Sequence, residues 1–368
     1  MKILYITNGI NGSGGLERVL AVKASYLADI LGYEVAILTL NNGHNQPFYK
    51  FSTKIKLHDI KVVGNLFNYI LSYRKGIKKV LKNIKPNVIS VCDDGFKGLL
   101  FPVLFGKSIP VIYERHVSKQ IENKKDDISI VQSLKTTLKF GLMNFGATQF
   151  HKFVVLTNGN LKEWKELNNI DVIPNPLPFN SLEQSAHTNK KVLVVGKQSY
   201  QKGYDRLLAV WSLVSKKYPD WKLEVYGKLN PELGLEARTK ELGIDTNVKF
   251  YPPVEDIQEK YKEASIYIMT SRFEGFGMVL IEAMSFGVPC VAFDCPHGPS
   301  DIIQNGEDGF LIANGDIDTF AFKLMDLMEN KSLRQQLGTN AIDHVHRFNV
   351  TEVVKKWDTL FKSLVHLK

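Results

Sequence analysis

Residues 2–40, KILYITNGINGSGGLERVLAVKASYLADILGYEVAILTL, contain a complete strand–helix–strand signal. KILYIT and EVAILTL are short apolar runs rich in β-branched residues, and LERVLAVKASYLADILG between them carries the apolar spacing of an amphipathic helix. Two strands joined through a helix pair in parallel, because a tight hairpin cannot make that connection. The alternation continues through NVISVC, PVIYE and FVVLT, and predicts a parallel sheet with helices on both faces. At 175–191 the pattern breaks into NPLPFNSLEQSAHTNKK, which is proline-bearing and then polar. It restarts with KVLVVG, KLEVYG, VKFY, SIYIMT, PCVAF and GFLI, and helical patterns close the chain. The expected architecture is α/β: two doubly wound, Rossmann-like domains at 1–178 and 191–349, joined by a linker at 179–190. A length of 368 residues suits two cores better than one. Ligands in such sheets bind beyond the carboxyl ends of the strands, so the cleft between the domains is the expected site.

The opening MKILYITNG has one lysine and an apolar run too short for a secretory signal or a spanning helix, which reads as a cytoplasmic protein. Cys92, Cys290 and Cys295 lack metal or disulfide spacing and read as core thiols. Charge is unevenly distributed. Residues 1–180 carry 24 basic and 13 acidic side chains, the remainder 23 and 25. A cationic first half points to an anionic partner. Zinc-finger spacing, an RNP-like aromatic strand and a basic region with heptads are all missing, so a membrane surface is favoured over nucleic acid. The competing reading is a surplus of lysine from a Lys-, Asn- and Ile-rich composition.

Strand-to-helix turns are where such a fold concentrates its chemistry. The first, NGINGSGGLERVL, places Gly9, Gly12, Gly14 and Gly15 before a helix, where bare backbone N–H groups can approach an anion. It fails the G-x-G-x-x-G spacing, and the second strand ends at Leu40, Asn41 and Asn42 without a ribose-binding acid. The turn therefore reads either as an anion site or as a tight turn alone. Its counterpart VVGKQSYQKGYDRLL sets Lys197 and Lys202 beside a helix start, which suits a diphosphate or two solvated lysines. In SRFEGFGMVLIEAMSFGVPCVAF, residues 271–293, Glu274 and Glu282 interrupt an otherwise buried segment. A helix opening near Phe276 or Gly277 leaves Glu274 in the loop before it and Glu282 almost two turns inside. They are not an i,i+4 pair. Gly275 and Gly277 bare N–H groups between them, and Glu282 on the helix flank could accept from both hydroxyls of a ribose. Backbone-satisfied structural glutamates are the alternative.

With these residues in place the chain resembles the retaining glycosyltransferases of family 4, which have the GT-B fold. EGFGMVLIEAM matches the family's E-x7-E motif, and GSGGLERV, YERH, VIPNPL, VGKQSYQKG and GPSDII fall in the family's order. The resemblance implies that Lys197 and Lys202 hold the donor diphosphate, although the family usually has arginine at the first of these positions. It further implies that Glu282 binds the donor ribose, that Glu274 lies near the transferred sugar, and that Phe276, Gly277 and Met278 supply backbone groups around sugar and phosphate. Gly14 and Gly15 would face the diphosphate from the first domain. His116, in YERH, matches a polar position directed at the sugar, with a satisfied surface histidine as the alternative. Glu114 and Arg115 are weaker candidates for the acceptor side. The C-terminal helix, about 350–368, would cross back onto the first domain through Val353, Trp357 and Phe361.

The chemistry that the resemblance implies is stabilisation of a departing nucleoside diphosphate by lysines and helix N-termini, with no metal or other cofactor required. Asp93 and Asp94 are adjacent and form no D-x-D pair. The implied reaction is front-face substitution with retention, from a nucleotide sugar, UDP first, to a lipid-linked or membrane-associated glycan acceptor in capsule, lipopolysaccharide or other surface polysaccharide synthesis. The expected location is peripheral, on the inner face of the cytoplasmic membrane. A sugar-nucleotide epimerase of the same fold, an NAD-dependent oxidoreductase lacking its fingerprint, and a non-catalytic nucleotide-sugar-binding scaffold are the competing classes.

Overall fold

A computed structural model of the chain describes residues 1–43, 45–93, 95–119, 130–179, 183–254 and 256–366. It forms two compact units, Met1–Pro178 with Val350–Lys368, and Phe179–Asn349. The first is built on a seven-stranded, all-parallel sheet of β1 (Lys2–Thr7), β2 (Glu34–Leu40), β3 (Lys56–Ile60), β4 (Val88–Cys92), β5 (Val111–Glu114), β6 (Lys152–Val155) and β7 (Ile170–Val172). Their order is β3-β2-β1-β4-β5-β6-β7. The second holds six parallel strands: β8 (Lys191–Val195), β9 (Lys222–Tyr226), β10 (Val248–Tyr251), β11 (Ile266–Met269), β12 (Cys290–Asp294) and β13 (Gly309–Ala313), ordered β10-β9-β8-β11-β12-β13. Both orders reverse direction beside the first strand of their unit, between β1 and β4 and between β8 and β11. Open parallel sheets bind ligands at such reversal points.

The central strands are apolar almost throughout because helices cover both of their faces. In the first unit Ile3, Tyr5, Ile37 and Ile112 pack under the helices Gly15–Asp29 and Val350–His366, and Leu4, Ile6, Leu38 and Val91 pack on the opposite face against Tyr73, Phe101 and Met143. The C-terminal helix buries Val353, Val354, Trp357, Leu360, Phe361 and Leu364, so it is an integral layer of the first unit although its sequence follows the second. Sequence patterning misses β3 (KLHDI) and β7 (IDV). Both are edge strands whose residues are exposed or half-buried apart from Ile60 at the end of β3, and an edge needs no continuous apolar run. Within 179–190, expected as a linker, described residues contact the second unit: the Ser185 N–H donates to the Phe286 carbonyl at 2.8 Å, and the Phe179 ring lies 5.5 Å from that of Phe286. Pro174, Pro176 and Pro178 break the strand pattern just before this stretch, and the chain after them still bonds to the second unit.

Candidate active site

In the second unit, the turn after β8 and the turn after β11 meet at the reversal point. The first turn runs through Gly196 and an exposed Lys197 into a single 3-10 turn, Tyr200–Lys202, and then into the helix Tyr204–Lys217. Gly203 joins them with φ of +64°, and a Cβ there would stand 2.2 Å from the Thr270 carbonyl oxygen. Only glycine allows that approach. The Thr270 hydroxyl donates to the carbonyls of Lys202 and Gly203 at 3.2 and 3.1 Å, and the Arg272 N–H donates to the Gln201 carbonyl at 2.8 Å. The Arg272 guanidinium then grips Asp205 with two bonds of 2.8 and 2.7 Å and lies 4.0 Å from the Tyr200 ring centroid. Its hydrogen bonds hold the Asp205 carboxyl below the usual carboxylate range. Nothing in the sequence pattern singles out Thr270, Gln201 or Arg272, because their roles depend on two turns meeting across 72 residues.

That clamp sets Lys202 against Glu274. The Lys202 ammonium donates to Glu274 Oε1 at 2.7 Å, and the Ser271 hydroxyl donates to the same oxygen at 2.6 Å. Glu274 is 6% exposed. Burial first, and the nearby Glu274 charge second, push the Cys295 thiol up, which keeps it protonated. The helix expected at Phe276 or Gly277 opens at Met278, with Gly277 as its cap at φ of +101°. Phe276 is buried with its ring 5.5 Å from that of Phe348, so its side chain is core and only its backbone can serve a ligand. Glu282 lies inside this helix at 1% exposure and accepts from the Tyr261 hydroxyl at 2.9 Å. Glu274 and Lys202 are therefore brought together, while Glu282 is held apart from them on the buried flank.

The first unit has a cleft of about 670 Å³ at its own reversal point, lined by residues that include Asn8, Gly12, Glu17, Asp93, Phe96 and Lys97. Asn8 follows β1 and Asp93 follows β4. The Asn8 amide donates to Asp93 Oδ1 at 2.9 Å, the Gly95 N–H donates to the same oxygen at 2.9 Å, and the Lys97 ammonium stands 3.4 Å from Oδ2. In the sequence Asp93 stands out only as half of a missing D-x-D pair, and Asp94 lies outside the described residues. Gly14 caps the helix Gly15–Asp29. Glu17, at the third position of that helix, folds back over the turn: a Cβ on Gly12 would stand 2.5 Å, and one on Gly14 2.6 Å, from its carboxylate oxygens. The place at which these glycines could receive an anion is thus faced by a carboxylate.

Beyond β5, His116 Nε2 lies 3.4 Å from Glu114 Oε2. Glu114 and Arg115 are both buried. Glu114 accepts from the Lys23 ammonium and, at 2.5 Å, from the Ser90 hydroxyl, while Arg115 Nε donates to the Val117 carbonyl at 2.9 Å. Burial would raise the Glu114 carboxyl, but Lys23 and His116 outweigh it and hold it at about 2. Cys92, Glu114 and His116 bring ligand-type atoms within 4.8 Å of one another. A cation shared by His116 and Oε2 would meet the Lys23 ammonium on that same oxygen, so this trio is a poor cation site.

Comparison with known proteins places the chain in a family. Residues 181–344 match the family described as glycosyl transferases group 1. The chain is 31% identical, over 97% of its length and 98% of the relative's, to an uncharacterized glycosyltransferase of Haemophilus influenzae. It is 30% identical, over 98% and 99%, to the amylovoran biosynthesis glycosyltransferase of Erwinia amylovora. An Anabaena protein crystallised with UDP and glucose superimposes with a TM-score of 0.80 at 19% identity, over 99% of this chain and 100% of that one. Two parallel reversal-point sheets and full-length similarity converge: the chain belongs to the group 1 glycosyltransferases, of family 4 type and GT-B fold, whose members include enzymes of surface polysaccharide and lipopolysaccharide synthesis.

Proposed function

We propose that this glycosyltransferase moves a hexose or N-acetylhexosamine, with retention, from a UDP sugar to a lipid-linked or membrane-associated glycan. The observation that carries the reading is the Lys202–Glu274 contact at the reversal point of the second sheet. A leaving diphosphate needs positive charge that is present before the bond breaks. Lys202 is held by the clamp on its own carbonyl, so its ammonium can turn from Glu274 to a phosphate oxygen without moving the backbone. Lys197 adds a second charge, and the N–H groups at Gly277 and Met278 add dipoles. Released from Lys202, Glu274 accepts from hydroxyls of the transferred sugar, and Glu282, oriented by Tyr261, accepts from the ribose. The anomeric carbon–oxygen bond breaks toward the phosphate, the acceptor oxygen bonds to the same face, and its proton passes to the departing phosphate. We assign His116 as a substrate contact of the first unit. No metal takes part in this scheme, and EDTA should leave the rate unchanged.

For the acceptor, the first unit supplies a surface. Ile70 and Leu71 on the helix Leu66–Ile84, and Leu138, Leu142 and Phe145 on the helix Ile130–Thr148, are exposed among Lys75, Lys78, Lys79, Lys82 and Lys135. No helix among the described residues is long and apolar enough to cross a membrane. This mixture of exposed apolar and basic side chains supports peripheral docking on an anionic bilayer, at the inner face of the cytoplasmic membrane. A donor screen, UDP sugars first, with membrane extract as acceptor and mass spectrometry of the products tests the activity. Free UDP without a glycosylated product, or a new nucleotide sugar without acceptor, would replace this reading. Flotation with anionic and with neutral liposomes tests docking, and equal recovery would remove the electrostatic part.

A further inference from the structure

Lys23 is fully buried, a costly place for an ammonium, and its partner Glu114 is 1% exposed. Their surroundings come from five elements of the first unit. Lys23 projects from the helix Gly15–Asp29, Glu114 ends β5, Ser90 and Cys92 stand on β4, Tyr5 on β1, and Trp357 on the C-terminal helix. The ammonium lies 4.0 Å from the Trp357 ring centroid and 5.0 Å from that of Tyr5. Both Glu114 oxygens are engaged, Oε1 by Ser90 and Oε2 by Lys23, and Oε2 also lies 3.4 Å from His116 Nε2. A buried ion pair adds little net stability compared with apolar packing of the same volume. Its effect here is to fix the position and cancel the charge of the oxygen on which His116 rests.

We propose that the Lys23–Glu114 pair, roofed by Trp357, is a positioning device that sets the orientation and charge state of His116. This rests on the reading of His116 as a substrate contact. Glu114 is then a positioning residue rather than part of the acceptor surface, and the C-terminal helix supports the site through the aromatic face it lays over Lys23. With both charges present, His116 meets a nearly neutral pair. Remove Lys23, and a bare carboxylate beside it favours the imidazolium; remove the Glu114 charge, and the remaining ammonium opposes it.

Histidine-selective isotope labelling with NMR titration reads this directly, His116→Asn identifying the signal. Lys23→Met should raise the His116 midpoint by about half a pH unit or more, and Glu114→Gln should lower it by a similar amount. The Lys23→Met/Glu114→Gln protein should return close to wild type. Singles that leave the midpoint in place, or move it in the same direction, while circular dichroism shows a folded chain, would overturn the proposal. Each single variant strands one buried charge, so should one of them fail to fold, the other single and the double variant, which strands none, carry the same test. In the transfer assay the singles should lose about tenfold in kcat with little change in donor KM, and the double variant should recover part of it. Absence of transfer by wild type would sink the functional reading alone, because the NMR result does not depend on turnover.

Discussion

Replacing Lys202 with methionine separates what the Lys202–Glu274 pair does for the fold from what it does for the reaction. The ammonium and carboxylate stand 2.7 Å apart with side chains 19% and 7% exposed. Bare attraction at an effective dielectric near 20 is about 6 kcal/mol, and most of it is offset by the desolvation of both groups. Breaking a buried pair by removing one partner costs about 3–5 kcal/mol, and partial exposure of Lys202 together with the remaining Ser271 bond places this one near about 3 kcal/mol. For a unit of this size that is a fall in Tm of about 6–12 °C. The Glu274→Gln/Lys202→Met protein leaves no stranded charge and should recover about half of the loss. Turnover should behave differently. Loss of a preorganised charge at the leaving group lowers kcat by about 10²–10³, and the double variant should not recover it. Thermal unfolding and steady-state transfer kinetics on the four proteins of the cycle decide the matter. Stabilities that add within about 0.5 kcal/mol would refute the coupling, and a Lys202→Met enzyme with wild-type kcat would refute the leaving-group role.

The geometry predicts four further outcomes. Gly203→Ala must accommodate a Cβ at 2.2 Å from the Thr270 carbonyl at positive φ, so it should unfold at lower urea by about 2 kcal/mol or more and weaken donor binding with it. Tyr261→Phe strips a hydroxyl from buried Glu282, which should cost about 1–3 kcal/mol in stability and raise donor KM more than it lowers kcat. Glu17→Gln removes the charge folded over the first glycine turn and should tighten inorganic pyrophosphate binding measured by calorimetry; weaker binding would show that Glu17 serves the ligand. Glu114 is held at about 2, below its ordinary 4.5, so its ionised form stabilises the first unit at neutral pH and that contribution fades as pH falls from about 4.5 through about 2. Acid unfolding followed by circular dichroism should therefore be steeper across that window in wild type than in Glu114→Gln.

The strand–helix alternation and the division into two α/β units are legible in the sequence, because apolar runs and glycines are local requirements of buried parallel strands and tight turns. The sequence marked Lys202, Glu274 and Glu282 individually. Their relations come from packing. Lys202 meets Glu274 because β8 and β11 are neighbours at the reversal point, a pairing no local pattern encodes. Glu282 turns to Tyr261, Glu17 folds over its own glycine turn, and Glu114 in the YERH segment is claimed by Lys23 from a helix 91 residues earlier. A charge written in sequence has no fixed partner until packing removes water from around it, and then the nearest opposite charge or donor must be found within the fold.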